Sequence, residues 1–146
     1  TADMKRPVSQ YFWSRDSRAV LYVQDQGGDE NYNVYAVDPA AAPAAGAEVP
    51  AARNLTAAKG VRAFIYAVPK SEPDAIYVGL NDREPAWHDL YKVRISTGER
   101  QLLRKNTERL TGWAPRACAW RPSVKTPAPA AASTTPSTPR PMPRAT

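Results

Sequence analysis

Residues 21–38 read LYVQDQGGDENYNVYAVD. Two alternating apolar runs, Leu21-Tyr22-Val23 and Val34-Tyr35-Ala36-Val37, flank a Gly-Gly-Asp-Glu-Asn cluster. A period of two interrupted by turn residues is the pattern of a β-hairpin with an apolar face. A hairpin alone is marginal in water, so this one requires further strands beside it.

The chain repeats the pattern. An offset of 56 residues carries Ala19-Val20 to Ala75-Ile76, Asp25 to Asn81, Tyr35 to Tyr91 and Val37 to Val93. Each copy is preceded by an aromatic or apolar segment, Tyr11-Phe12-Trp13 and Ala63 to Val68, and followed by a short run, Arg53 to Thr56 and Arg100 to Leu103. That predicts four strands per copy. The Ala/Pro stretch from Pro39 to Pro50 has no strand period and is expected to loop out, with Ser96-Thr97-Gly98-Glu99 as its compact counterpart.

Four antiparallel strands in a repeat of roughly 40 to 55 residues describe a β-propeller blade. The expected fold is therefore all-β: about two four-stranded antiparallel blades, one over about residues 8–56 and the other over about 61–104, within a partial propeller spanning 1–113. Two blades cannot close a ring, because propellers use about four to eight, so the reading implies a piece of a larger domain. A small β-sandwich or open meander is the competing reading, and the matched offset weighs against it.

The segments DSRAVLYVQDQGGDENYNVYAVD, RNLT, GVRAFIYAV and PDAIYVGLNDREPAWHDLYKVRISTGERQLL, with Trp113 after them, resemble the amino-terminal propeller of bacterial serine peptidases of the prolyl oligopeptidase family, in the branch of acylaminoacyl peptidases and dipeptidyl aminopeptidases. The resemblance covers about residues 5–113. It rests most on QDQGGDEN and VGLNDREPAWHDLY, since STGE and DSR followed by LY recur in many TolB-like propellers. It implies a parent in which a carboxyl-terminal α/β-hydrolase domain carries a Ser, Asp, His triad and the propeller restricts access for peptides. The peptide substrate and that hydrolase domain are the partners it implies. The alternative function is a TolB-like propeller that serves as a binding scaffold with no peptidase domain.

The chain has no Gly-x-Ser-x-Gly pentapeptide, the strand-to-helix elbow that exposes a nucleophilic serine. Ser9, Ser14, Ser17, Ser71 and Ser96 fall in strand-edge or turn contexts, so no catalytic residue is assigned and this chain alone is expected to be no enzyme. The one histidine, His88, sits between Trp87 and Asp89 and reads as a turn residue beside Trp87. Asp29, Glu30, Asp82 and Glu84 fall on the two hairpin loops and are the candidate contacts for the free amine of a peptide, against the alternative that they are solvated turn acids. Their spacing does not match a calcium loop, and no metal or cofactor is expected.

The net charge of +6 divides unevenly: residues 114–146 hold five of the 20 basic residues and none of the 14 acidic ones. The earlier part is nearly neutral, without a basic stripe interleaved with aromatics, which argues against a nucleic-acid partner. No run of eighteen apolar residues marks a membrane span and no signal peptide is visible, so no membrane partner is expected and the compartment stays open, cytoplasmic or periplasmic. From Ala114 the chain has no Gly, Leu, Ile, Phe or Tyr, and its Ala, Pro, Thr and Ser composition predicts a disordered tail. Two readings of that tail are open, a Pro/Thr linker or a GC-rich gene read out of frame. The second is favoured, since shifted codons from Ala117 permit Leu-Arg-Val-Ala and those of residues 132–138 permit Ile-Asp-Tyr-Thr-Val-Asp. The lone Cys118 lies in this tail and gives no disulfide framework.

Overall fold

The computed structural model describes residues 1, 3, 5–116 and 119–122. The expectations placed on Cys118 and on residues 123–146, disorder or an out-of-frame reading, lie outside the described residues. Within them the chain is all-β, in three antiparallel sheets. Sheet A has the order β1(Gln10–Trp13), β2(Val20–Gln24), β3(Asn33–Val37), β4(Ala52–Asn54). Sheet B has β5(Ala63–Ala67), β6(Ala75–Glu84), β7(Trp87–Arg94), β8(Arg100–Arg104). A third, two-stranded sheet joins β9(Trp113–Arg116) to β10(Ala119–Pro122).

The internal repeat is reproduced in register, because side-chain alternation and turn chemistry fix how two strands align. Val20 pairs with Val37, Tyr22 with Tyr35 and Gln24 with Asn33. Fifty-six residues on, Ile76 pairs with Val93, Val78 with Tyr91 and Leu80 with Asp89. The turn residues justify their types: Gly27 and Gly28 have φ of 65° and 90°, Glu30 has 57°, and Gly98 in the compact turn has 78°. Polar supports repeat as well. The Gln26 side-chain amide donates to the Tyr35 hydroxyl at 3.1 Å, and the Tyr91 hydroxyl donates to Asp82 at 2.9 Å.

The two sheets stack head to tail. On sheet A, Phe12, Leu21, Val23, Val34 and Ala36 face sheet B and share one core with Ile76, Val78, Leu80 and Val93. Those four sheet B residues are the repeat counterparts of Val20, Tyr22, Gln24 and Val37, which lie on the opposite face of sheet A. Sheet B's second face carries Leu90 and Tyr77 and is covered by β9 and β10 through Trp113 and Trp120. Leu21, Val23 and Val34 therefore meet Ile76, Val78 and Val93 across one interface but are not their repeat equivalents, a distinction that alternation alone does not make. The free face of sheet A is aromatic, with Tyr22 stacked on Tyr35 at 5.0 Å and Tyr11 and Trp13 exposed at 77% and 56%.

The β9–β10 hairpin lies inside the stretch expected to carry no strands. Its driving force is aromatic: the Trp120 ring packs on Tyr77 at 4.8 Å and the Trp113 indole N–H donates to the His88 carbonyl at 3.1 Å. On the same face Gly79 makes room for Tyr66, because a Cβ there would stand 2.5 Å from the tyrosine hydroxyl. The register of β5 on β6 shifts at this point, between Ile65 and Ala67.

Residues 39–48 are exposed throughout, tied down by two local turns, Ala41 N–H to Asp38 and Ala47 N–H to Ala44. Limited proteolysis with a protease of broad specificity is expected to cut first in this loop, near Pro43, while both four-stranded sheets stay intact. First cuts mapped by mass spectrometry to the β2–β3 or β6–β7 hairpin would contradict this fold.

Candidate functional site

One end of the molecule collects the hairpin loops. The Ala63 N–H donates to the Tyr32 carbonyl at 2.8 Å, which places the start of β3, the start of β5 and the end of β6 side by side. The four candidate acids all lie on this end. Asp29 and Glu30 are in the β2–β3 loop, and Asp82 and Glu84 are on the outer part of β6.

They differ in what they hold. Asp29 accepts from the backbone N–H and the side-chain amide of Asn31 and from the Gln26 N–H, and the Asn31 backbone bond in first place keeps its carboxyl below the usual range. Asp82 takes the Tyr91 hydroxyl on both oxygens, at 3.1 and 2.9 Å. Burial, then that bond, pushes the Tyr91 phenol up to about 12. Both aspartates thus serve the loops that carry them. Glu30 and Glu84 are exposed. The Glu30 backbone N–H donates to Asp25, which fixes the loop and turns the Glu30 side chain outward.

Two buried carboxylates that sequence reasoning did not single out organise this end. Asp25, in the repeat position of Asn81, receives Arg6 through two bonds at 3.0 and 2.7 Å. Asp89, in the repeat position of Asn33, receives Arg83 at 2.7 and 2.8 Å and the Asn106 N–H at 2.6 Å. Asn106 then closes the next loop with two bonds to the Leu110 backbone, each 2.8 Å. In sheet A the pair Asn33 and Thr56 does the same work, with the Thr56 hydroxyl donating to Asn33 at 3.0 Å and accepting the Val34 N–H at 2.9 Å.

His88 is not a turn residue. It is the second residue of β7, and its ring lies 4.7 Å from Phe64. Burial, and then the Arg62 charge, hold it below the usual histidine range, so it is neutral at pH 7 and its buried Nε2 has no partner. A lone neutral histidine without a serine or carboxylate in line with it cannot act as the base of a triad. Among the described residues no catalytic triad-like grouping is present, and no three His, Cys, Asp or Glu side chains are placed to hold a metal.

No protein-family model matches the chain. The chain is similar to dipeptidyl aminopeptidase BIII of Pseudoxanthomonas mexicana, with 38% identity over 113 residues, which are 77% of this chain and 15% of that protein. It is also similar to dipeptidyl peptidase family member 6 of Caenorhabditis elegans, with 27% identity over 106 residues, 73% of this chain and 14% of the relative. Over that shared part the chain is homologous to dipeptidyl peptidase and aminopeptidase family members, and it spans about a seventh of their length.

Proposed function

We propose that the chain is a non-catalytic part of a β-propeller from a serine peptidase of the prolyl oligopeptidase family, in which the complete protein hydrolyses peptides and the propeller restricts access to the active site. The observation that carries this reading is the head-to-tail stacking: sheet A packs one face on sheet B, and sheet B turns its other face to β9 and β10. Stacking of that heterologous kind closes a ring where the rotation between neighbours allows it, and a ring of such sheets is a propeller. The relatives support a peptidase over a free-standing scaffold, since both carry peptidase names and both are several times longer than the chain.

Within this reading the loop end faces the substrate path. Glu30 and Glu84, exposed and not engaged like Asp29 and Asp82, are the acids that meet the amine of an incoming peptide by charge pairing.

The test has two arms. The chain alone is expected to leave an alanyl-alanyl 4-nitroanilide intact, while the complete protein encoded by the gene turns it over. Glu30→Gln with Glu84→Gln in the complete protein is expected to raise KM about tenfold with kcat little changed, the signature of lost binding shared by ground and transition states. Turnover by the isolated chain, persisting after contaminating peptidases are inhibited, would overturn the assignment. So would a complete protein inert to peptidyl substrates.

A further inference from the structure

Two arginines stand just ahead of the first strands of the two sheets, and their surroundings differ in one respect. Arg6 spends its guanidinium on the buried carboxylate of Asp25. Fifty-six residues beyond Asp25 stands Asn81, which offers Arg62 no charge. Its side-chain oxygen instead takes the Arg62 backbone N–H at 2.7 Å, and its amide donates to the Pro85 carbonyl at 3.0 Å. Among the described residues no carboxylate forms an ion pair with Arg62.

The Arg62 guanidinium is nevertheless held. It lies 5.4 Å from the centre of the Tyr32 ring, from the loop that leads into β3 of sheet A, and 5.1 Å from that of Phe64, from sheet B. Phe64 in turn rests on His88, so a column of Tyr32, Arg62, Phe64 and His88 bridges the two sheets. The buried Arg62 Nε and the buried His88 Nε2 both lack a partner. A guanidinium stacked against aromatic rings has lost most of its rotational freedom before any ligand arrives, and what it lacks is an acceptor. Stacked arginine is the side chain best shaped to take a carboxylate by two parallel bonds.

We propose that Arg62, framed by Tyr32 and Phe64, is the receptor for a carboxylate supplied by a ligand, the external counterpart of what Asp25 supplies to Arg6. The site needs only the two stacked sheets, so it does not depend on the assignment to a peptidase. The carboxylate has two possible sources, the free end of a peptide or a small organic acid. A partly exposed aromatic rim, with Phe64 42% exposed, gives a peptide additional apolar contact that a small acid cannot use.

The experiment is a titration of the chain, followed by backbone amide shifts in ¹H–¹⁵N spectra at constant ionic strength, with N-acetyl-dialanine, its carboxamide, and sodium acetate as probes. N-acetyl-dialanine is expected to shift residues 62–64 and 88 saturably, and the carboxamide to bind at least about tenfold more weakly. Binding of the peptide acid about tenfold tighter than acetate assigns the source as a peptide, and equal binding assigns it as a small acid. Arg62→Gln is expected to abolish the difference between acid and carboxamide. Asn81→Asp, which offers Arg62 an internal carboxylate, is expected to abolish it too while the rest of the spectrum stays folded. Equal binding of acid and carboxamide, or an Arg62→Gln chain that binds the acid like the parent, overturns the proposal.

Discussion

Leu21→Ala is expected to lower the unfolding free energy by about 3 kcal/mol, the middle of the range for a fully buried leucine truncated in a core that can only partly collapse. Leu21 has no exposed surface and stands at the centre of the cluster that joins sheet A to sheet B. The lost methyl groups have neighbours from both sheets, among them Val34, Ile76 and Val78, and neighbouring strands hydrogen-bonded in register cannot close the gap without breaking ladder bonds. Leu102, 40% exposed on β8, supplies the control, because its truncation removes little packed area and should cost less than about 0.5 kcal/mol. Leu90→Ala tests the second cluster, where β9 and β10 cover sheet B, and should cost about as much as Leu21→Ala. Urea midpoints at constant m measure all three. A Leu21→Ala loss no larger than that of Leu102→Ala would mean that sheets A and B do not pack on each other as described.

That head-to-tail arrangement marks the boundary of what the sequence made legible. Alternation with Gly27-Gly28 between the runs identified β2 and β3, and the offset of 56 carried the same reading to β6 and β7 in the correct register. Alternation assigns residues to two faces but does not say which face meets which neighbour. That depended on side-chain volume at single positions: Val23 corresponds to Gly79, and the space released there is filled by Tyr66 from β5, whose register on β6 shifts there. The β9–β10 hairpin was hidden because composition counts aliphatic residues, while this hairpin docks by its tryptophans. Of the four candidate acids, Asp29 and Asp82 turned out to be engaged within their own loops, as turn aspartates commonly are. The Arg62 column was partly visible, in the change from Asp25 to Asn81, but the stacking rings come from the loop that leads into β3 and from sheet B, and only the fold brings them together.

Asp89→Asn is expected to cost about 3 kcal/mol at pH 7. The Asp89 side chain is 1% exposed and has three donors aimed at its two oxygens, two from Arg83 and one from the Asn106 backbone. An amide has one oxygen: placed where the Arg83 Nη2 and Asn106 N–H bonds converge, it turns its NH₂ on the Arg83 Nε–H, and in either orientation the guanidinium loses its charged partner. The Asn106 bond that remains is to a neutral amide, and the loop Asn106 ties to Leu110 is held less firmly. The acid limb of stability carries a second signature. Burial alone raises the Asp89 carboxyl, but Arg83 and the Asn106 N–H outweigh it and leave the group below the ordinary aspartate range; Asp25 is likewise lowered, first by Arg6. A carboxyl lowered in the folded state binds fewer protons than in the unfolded chain, so its stabilisation is complete above the unfolded value of about 3.9 and is lost as pH falls through the folded one. The parent chain should therefore hold a nearly constant melting temperature down to about pH 5 and lose it steeply below about pH 4. Asp89→Asn should start lower at pH 7 and fall less steeply in acid, because one of the depressed carboxyls no longer titrates. Thermal unfolding of both proteins between pH 7 and pH 3 separates the cases: parallel curves would show that Asp89 carries no depressed titration, and an unchanged melting temperature at pH 7 would show that the Arg83, Asp89 and Asn106 contacts do not hold the loop end together.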